Sequence, residues 1–193
     1  MLRRRLSVVL EMVRRRDEFK ELLFQAVLSR SLFILQEVYG TPLEYGYYLG
    51  VMGVYSGVLE GDIEKAIYRH DVLDKRRFMG PEGNYRREYI HTKESDWVLK
   101  KEKKFLQTQK HAIDTFITHF AGRTLDELDL SATIIYYNCD DAYGRHPNAL
   151  DKIARKVNET RPTFSLEVIF AECTRLKRLG ILERPMEQLA CVS

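Results

Sequence analysis

The chain has 193 residues, 45% of them apolar and 31% charged, with 31 Lys and Arg against 28 Asp and Glu for a net charge of +3. That composition excludes a disordered chain and suits one domain or two small ones. Cys139, Cys173 and Cys191 are odd in number and lack CxxC spacing, which argues against a disulfide framework or a zinc ribbon, and no apolar run approaches the roughly 20 residues that span a bilayer. The expectation is a cytoplasmic protein with reduced thiols and no membrane partner.

The first predicted element is an amphipathic helix. MLRRRLSVVLEMVRRR sets Leu2, Leu6, Val9, Leu10 and Val13 at helical spacing, and Glu11 interrupts what a signal peptide would keep apolar. A second stripe, Phe19, Leu22, Leu23, Ala26 and Val27, predicts another helix with Asp17 as its N-cap. SRSLFILQEVY predicts a third, stopped by Gly40-Thr41-Pro42. From Leu43 to Ile63, five glycines and four tyrosines gather in 21 residues. Tyr45 to Leu49 reads as a short strand, and Gly50 and Gly53 as a loosened turn. Ser56 reads as the N-cap of a helix that buries Val58, Leu59, Ile63, Ala66 and Ile67.

VLDKRRFM and YRREYIHT, on either side of GPEGN, predict a β-hairpin. Helices followed by a hairpin is the order of a winged helix-turn-helix. Glu94 to Ala121 contains no proline or glycine and carries a heptad-like stripe, which predicts one helix of about 28 residues, about 42 Å long. Thr124 and Glu127 form a capping box ahead of Leu128, Leu130, Ile134, Ile135 and Tyr137. Asn148 and Asp151 read as the start of ALDKIARKVN. Ser165 caps LEVIFAECTRLKRLG, which Gly180 closes. The expected fold is mainly α with a small β-hairpin. It comprises a winged-helix-like module over residues 1–93, a long connecting helix over 94–122 and a C-terminal three-helix module over 123–193.

The charge is uneven. Residues 1–93 hold 16 basic and 13 acidic residues and the remainder 15 of each, so the excess lies wholly in the first part. It comes as Arg3-Arg4-Arg5, Arg14-Arg15-Arg16, Lys75-Arg76-Arg77 and Arg86-Arg87. The hairpin is therefore the candidate nucleic-acid grip, with Lys75, Arg76, Arg77, Arg86 and Arg87 set to meet phosphates. Alternation along a strand prevents all five from facing one backbone, and charge on an edge hairpin also serves solubility. Glu60, Asp62 and Glu64 in the preceding helix would repel phosphates, which argues against base readout from that helix.

The Gly- and Tyr-rich stretch lacks GxGxxG and a following Gly-Lys-Ser/Thr, so it does not read as a nucleotide loop. Tyr45, Tyr47, Tyr48 and Tyr55 are candidates for a protein-binding surface, since tyrosine offers large area at low entropic cost. His70, His91, His111, His119 and His146 show no i, i+4 metal-binding pair suited to chemistry. Cys139-Asp140-Asp141 with His146 reads as a polar turn, no nucleophile signature occurs, and no cofactor is expected. The long helix could pair with a second copy through Phe105, Ile113, Phe116 and Phe120 or pack within its own chain.

SLFILQEVYGTPLEYGYYLGVMGVYSGVLEGDIEKAI resembles the YwgA-like family of uncharacterised bacterial and archaeal proteins. That family shows a short apolar helix, a Tyr-rich strand, a Gly-Pro-Tyr-Ser turn and a helix beginning Leu-x-x-Asp-Ile/Leu. Gly53, Tyr55, Ser56, Leu59, Asp62 and Ile63 match, while Val54 stands where the family has proline. LDLSATIIYY and FSLEVIFAECTRLKRLGIL resemble its closing helices, and a more distant similarity is to the Panacea domain of toxin-neutralising proteins. The resemblance implies a mostly helical, winged-helix-like fold and no established activity. The resulting expectation is a non-enzymatic regulatory protein that binds double-stranded nucleic acid, as a homodimer through the long helix. The alternative is an antitoxin-like adaptor that uses the tyrosine-rich turn.

Overall fold

The computed structural model describes residues 2–21, 23–79, 85–139 and 149–182, and for residues 78, 79, 85 and 86 the backbone alone. Two compact units divide the chain, Met1–Leu128 and Asp129–Ser193. The architecture is mainly helical, with eight α-helices and two antiparallel hairpins among the described residues.

In the first unit, α1 runs Leu2–Arg14. It is more than amphipathic: Leu6, Ser7, Val8, Val9, Leu10, Met12 and Val13 are all buried, because the later helices of this unit and its second hairpin pack around it. The stripe expected from Phe19 onward is not a separate helix. A single 3-10 turn covers Arg16–Glu18 without a side-chain cap, the described residues after it are not helical, and α2 spans Gln25–Glu37. Asp17 thus caps nothing, and Leu22 lies outside the described residues. Phe19 and Leu23 are nonetheless buried, so their apolar character serves core packing outside a helix.

Gly40, at φ +69°, ends α2 in the left-handed region that favours glycine. Strands β1 (Tyr48–Gly50) and β2 (Gly53–Tyr55) form a first hairpin that pairs Tyr48 with Tyr55 and Leu49 with Val54. Helix α3, Gly57–Tyr68, starts where expected: the Ser56 hydroxyl accepts from the Leu59 N–H at 3.4 Å. Its inward face is Leu59, Asp62, Ile63 and Ala66. Val58 is exposed instead, and an aspartate occupies the interior.

Strands β3 (Leu73–Met79) and β4 (Tyr85–His91) form the expected second hairpin, in register from Leu73 opposite His91 to Met79 opposite Tyr85. The connecting residues 80–84 lie outside the described residues. Leu73 and Tyr89 root the hairpin in the core, and the Tyr89 N–H donates to the Leu23 carbonyl at 2.9 Å. The single long helix is two: α4, Ser95–Lys101, and α5, Lys103–Phe120, parted at Glu102, whose ψ of 14° leaves helical geometry. Its stripe packs inside its own unit. Ile113, Phe116 and Phe120 are buried; Phe116 and Phe120 stack at 5.4 Å, and Phe116 meets Phe19 and Tyr39.

Helix α6 covers Leu125–Cys139. Its capping box is present: the Thr124 N–H donates to Glu127 at 2.8 Å and the Glu127 N–H to the Thr124 hydroxyl at 3.3 Å. In the second unit, α7 spans Ala149–Thr160 and α8 spans Leu166–Arg178. The Ser165 hydroxyl caps α8, Gly180 follows at φ +69°, and Asn148 lies outside the described residues. Ile153, Ala154, Val157, Ile169, Cys173 and Leu176 form the apolar contact. Arg161 pairs with Asp129 at 3.0 Å. Ser131 donates to Glu172 at 2.5 Å, and Arg175 also binds Glu172.

Candidate nucleic-acid interface

The basic runs have different fates. In the first, Arg3 lies over the Trp97 ring at 5.2 Å and Arg4 over Phe105 at 5.5 Å. Arg5 enters the interior and binds Asp62 at 2.9 Å. In the second, Arg14 pairs with Glu11, and Arg15 with Glu18 and Asp114. Arg16 approaches Asp17 at 3.6 Å and Glu88 at 3.9 Å. Lys110 and Arg15 together hold the Asp114 carboxyl below its ordinary range. These six arginines are occupied by the chain itself.

The hairpin differs. Arg77 and Arg87 face each other across the strands, both are exposed, and neither forms an ion pair among the described residues. Arg76 is exposed too, on the opposite face, directly across from Glu88. Glu88 is buried and turned to Arg16. Lys75 shares the Arg77 face and lies 5.8 Å from the Tyr89 ring centre. The side chain of Arg86 lies outside the described residues. The structure therefore brings Lys75, Arg77 and Arg87 onto one face and separates Arg76 from them.

Two guanidinium groups opposed on a strand pair repel each other and destabilise the hairpin by a few tenths of a kcal/mol or more. An anion set between them removes that cost. The root of the same face is less favourable to phosphate. Burial pushes the Tyr89 hydroxyl up to about 12, and Glu60 and Glu64 add to the shift, so both acids of α3 lie near it. The positive potential of this face is therefore highest toward the outer part of the hairpin.

The third acid of α3 is not at the surface. Asp62 is buried, held by Arg5 at 2.9 Å and Lys65 at 3.6 Å, with the Tyr45 hydroxyl donating at 3.4 Å. The Arg5 guanidinium also covers the Tyr45 ring at 4.9 Å. Of the candidate partner-binding tyrosines, Tyr45 is thus part of the core, and burial raises its hydroxyl well above the ordinary range. Tyr47 packs edge-on to Phe33 at 5.1 Å, and its sealed hydroxyl is likewise raised by burial. Tyr48 and Tyr55 are exposed, with ring centres 6.0 Å apart.

The hairpin that carries these two is firmly anchored to α2. Arg30 donates to the Met52 carbonyl, Ser29 to Val54 at 3.0 Å, and Gln36 bonds both backbone groups of Tyr45. A Cβ at Gly50 would lie 3.0 Å from the Tyr55 ring, which would have to shift to admit it. The sequence offered no sign that Arg30 and Gln36 act as anchors.

Elsewhere, a cleft of about 750 Å³ lies between α1 and α4, lined by Leu2, Leu6, Val72, Trp97 and Val98 and rimmed by charges of both signs. Among the described residues no group of His, Cys, Asp and Glu is placed to hold a metal, and His119 instead shares a hydrogen bond with Tyr39 at 2.9 Å. Asp140, Asp141 and His146 lie outside the described residues. No helix among those described is long and apolar enough to cross a membrane. What the fold and site define is a mainly helical protein with one charged and one aromatic two-stranded hairpin. No known family model matches the chain, and no curated protein matches it either.

Proposed function

We propose that this chain is a non-enzymatic, cytoplasmic regulatory protein of winged-helix-like build whose β3–β4 wing grips the phosphates of double-stranded nucleic acid. One observation carries the reading: the first two arginine runs are tied to acids or rings within the chain, whereas Arg76, Arg77 and Arg87 stand exposed and unpaired among the described residues. Glu60 and Glu64 on α3 make the contact one of backbone rather than of base edges.

The test is anisotropy of a labelled duplex across a salt series. Each phosphate contact contributes about −0.9 to the slope of log K against log salt. Replacing Arg77 and Arg87 together by alanine should therefore flatten the slope by about 2. Absence of binding at low salt, or a slope unmoved by the pair, overturns the proposal.

A second reading has its own support. Tyr48 and Tyr55 sit on a hairpin that is rigidly held yet presents its apolar side outward, which suits a protein-contacting surface.

A further inference from the structure

We infer that the outward face of α3, together with the β1–β2 hairpin, is a homodimer interface in which two copies pair α3 with α3, side by side and parallel. This rests on the protein-contact reading of that hairpin and commits it to a second copy of the chain. Among the described residues ten large apolar side chains are exposed, and six of them, Tyr48, Val51, Met52, Tyr55, Val58 and Tyr68, belong to this one hairpin and helix. Val51 is 94% exposed and Met52 85%. Scattered apolar side chains on a surface are ordinary, but six on one hairpin and the helix that directly follows it mark a contact site.

The helix itself shows what fits. Leu59, Asp62, Ile63 and Ala66 face inward. The opposite line at helical spacing is Gly57, Gly61, Glu64 and Tyr68, with Glu60 on one flank and Val58, Lys65 and Arg69 on the other. A side chain added at Gly57 or Gly61 would meet nothing within 4 Å. Packing inside the chain therefore requires neither glycine, although glycine weakens a helix interior. Gly57 leaves bare backbone at the start of the outward face and Gly61 nearer its middle, where a second helix can come close.

The charges select the partner and its direction. Glu64, on the outward line, leans to the Glu60 side, while Lys65, whose half-exposed amine also approaches Asp62 at 3.6 Å, lies on the opposite flank. A two-fold axis parallel to the helices sets each acidic flank against the basic flank of the other copy, so the Glu64–Lys65 contact forms twice. Antiparallel pairing would instead oppose acid to acid. Parallel pairing also brings the N-terminal ends of the two helices together, and with them the hairpins bearing Tyr48 and Tyr55. The stripe expected to dimerise on the long helix is not free for this task, because Ile113, Phe116 and Phe120 are already buried within their own unit.

Sedimentation velocity and light scattering on the full chain, from low to high micromolar and without nucleic acid, test the interface. The expected result is a concentration-dependent monomer–dimer equilibrium. Gly61→Leu should weaken it by at least about tenfold without lowering the melting temperature, since the new side chain enters open space in the monomer. Glu64→Lys, which sets cation against cation, should weaken it likewise. A chain that stays monomeric throughout, or a dimer indifferent to both substitutions, overturns the interface. So does a monomer whose Gly61→Leu variant loses a different protein partner, because the face then belongs to that partner. Duplex binding is not read here, so the wing and the dimer can fail independently.

Discussion

Removing the carboxylate of Asp62 tests the interior of the first unit most directly. Asp62 is 1% exposed and its partner Arg5 has a side chain 12% exposed, with 2.9 Å between them. The Asp62→Ala variant leaves the Arg5 guanidinium in that interior over the Tyr45 ring, and its Nε already has no hydrogen-bond partner among the described residues. Stranding a buried charge in this way costs about 3–5 kcal/mol. At about 3 °C per kcal/mol for a chain of this size, the melting temperature should fall by roughly 10–15 °C. Lys65 contributes little, because its amine is half-exposed at 3.6 Å and such pairs are worth under about 1 kcal/mol.

The double variant Arg5→Met with Asp62→Leu removes both charges and fills their volume. Apolar replacement of a buried pair is often neutral or stabilising, so the double variant should regain most of the loss. Urea unfolding followed by circular dichroism reads all the variants on one scale. Two results would refute the reasoning: a single-variant loss below about 1 kcal/mol, which is the behaviour of a surface pair, or a double variant no better than the worse single.

Arg77→Thr should act with opposite signs on two measurements. It relieves the opposed guanidinium pair and stabilises the free protein by about 0.2–1 kcal/mol, read by thermal melting, while it weakens duplex binding in the anisotropy assay. Cys173 should make stability fall in alkali. Burial, with Glu172 beside it, pushes its thiol up to about 11 from an ordinary value near 9. The folded state thus resists an ionisation that the unfolded state undergoes, so this contribution is intact below about pH 9 and is lost as pH rises through about 11. Denaturation at pH 8 and above pH 10 should show the loss, and Cys173→Val should reduce it.

Local chemistry was readable where it acts over three or four residues. The Ser56 and Ser165 caps, the Thr124–Glu127 box and the left-handed glycines at Gly40 and Gly180 need only near neighbours, and each is where its letters place it. The β3–β4 hairpin was readable for the same reason. The segment at Phe19 to Leu23 was not. Its apolar spacing fits a helix, yet Phe19 is extended and the described residues after it are not helical, and the Lys20 N–H donates to the carbonyl of Ala121, about a hundred residues away. Nor was the break at Glu102, which carries neither glycine nor proline; helical spacing continues through it while the backbone turns.

The candidate site shows why a run of cations says little by itself. RRR at Arg3 to Arg5, RRR at Arg14 to Arg16 and KRR at Lys75 to Arg77 are nearly the same string. What separates them is which acids or rings reach them from distant parts of the chain: Asp62, Asp114, Glu88, Trp97 and Phe105. The same logic reverses the reading of α3. Its three acids look alike in sequence, but Asp62 faces inward to balance Arg5, and only Glu60 and Glu64 remain to shape the outer field. Among the described residues, internal pairing leaves over exposed cations on one hairpin and an exposed aromatic face on the other. Each is a cost to the isolated chain, in repulsion at Arg77 and Arg87 and in exposed apolar surface at Tyr48 and Met52. A binding partner at either place would remove that cost.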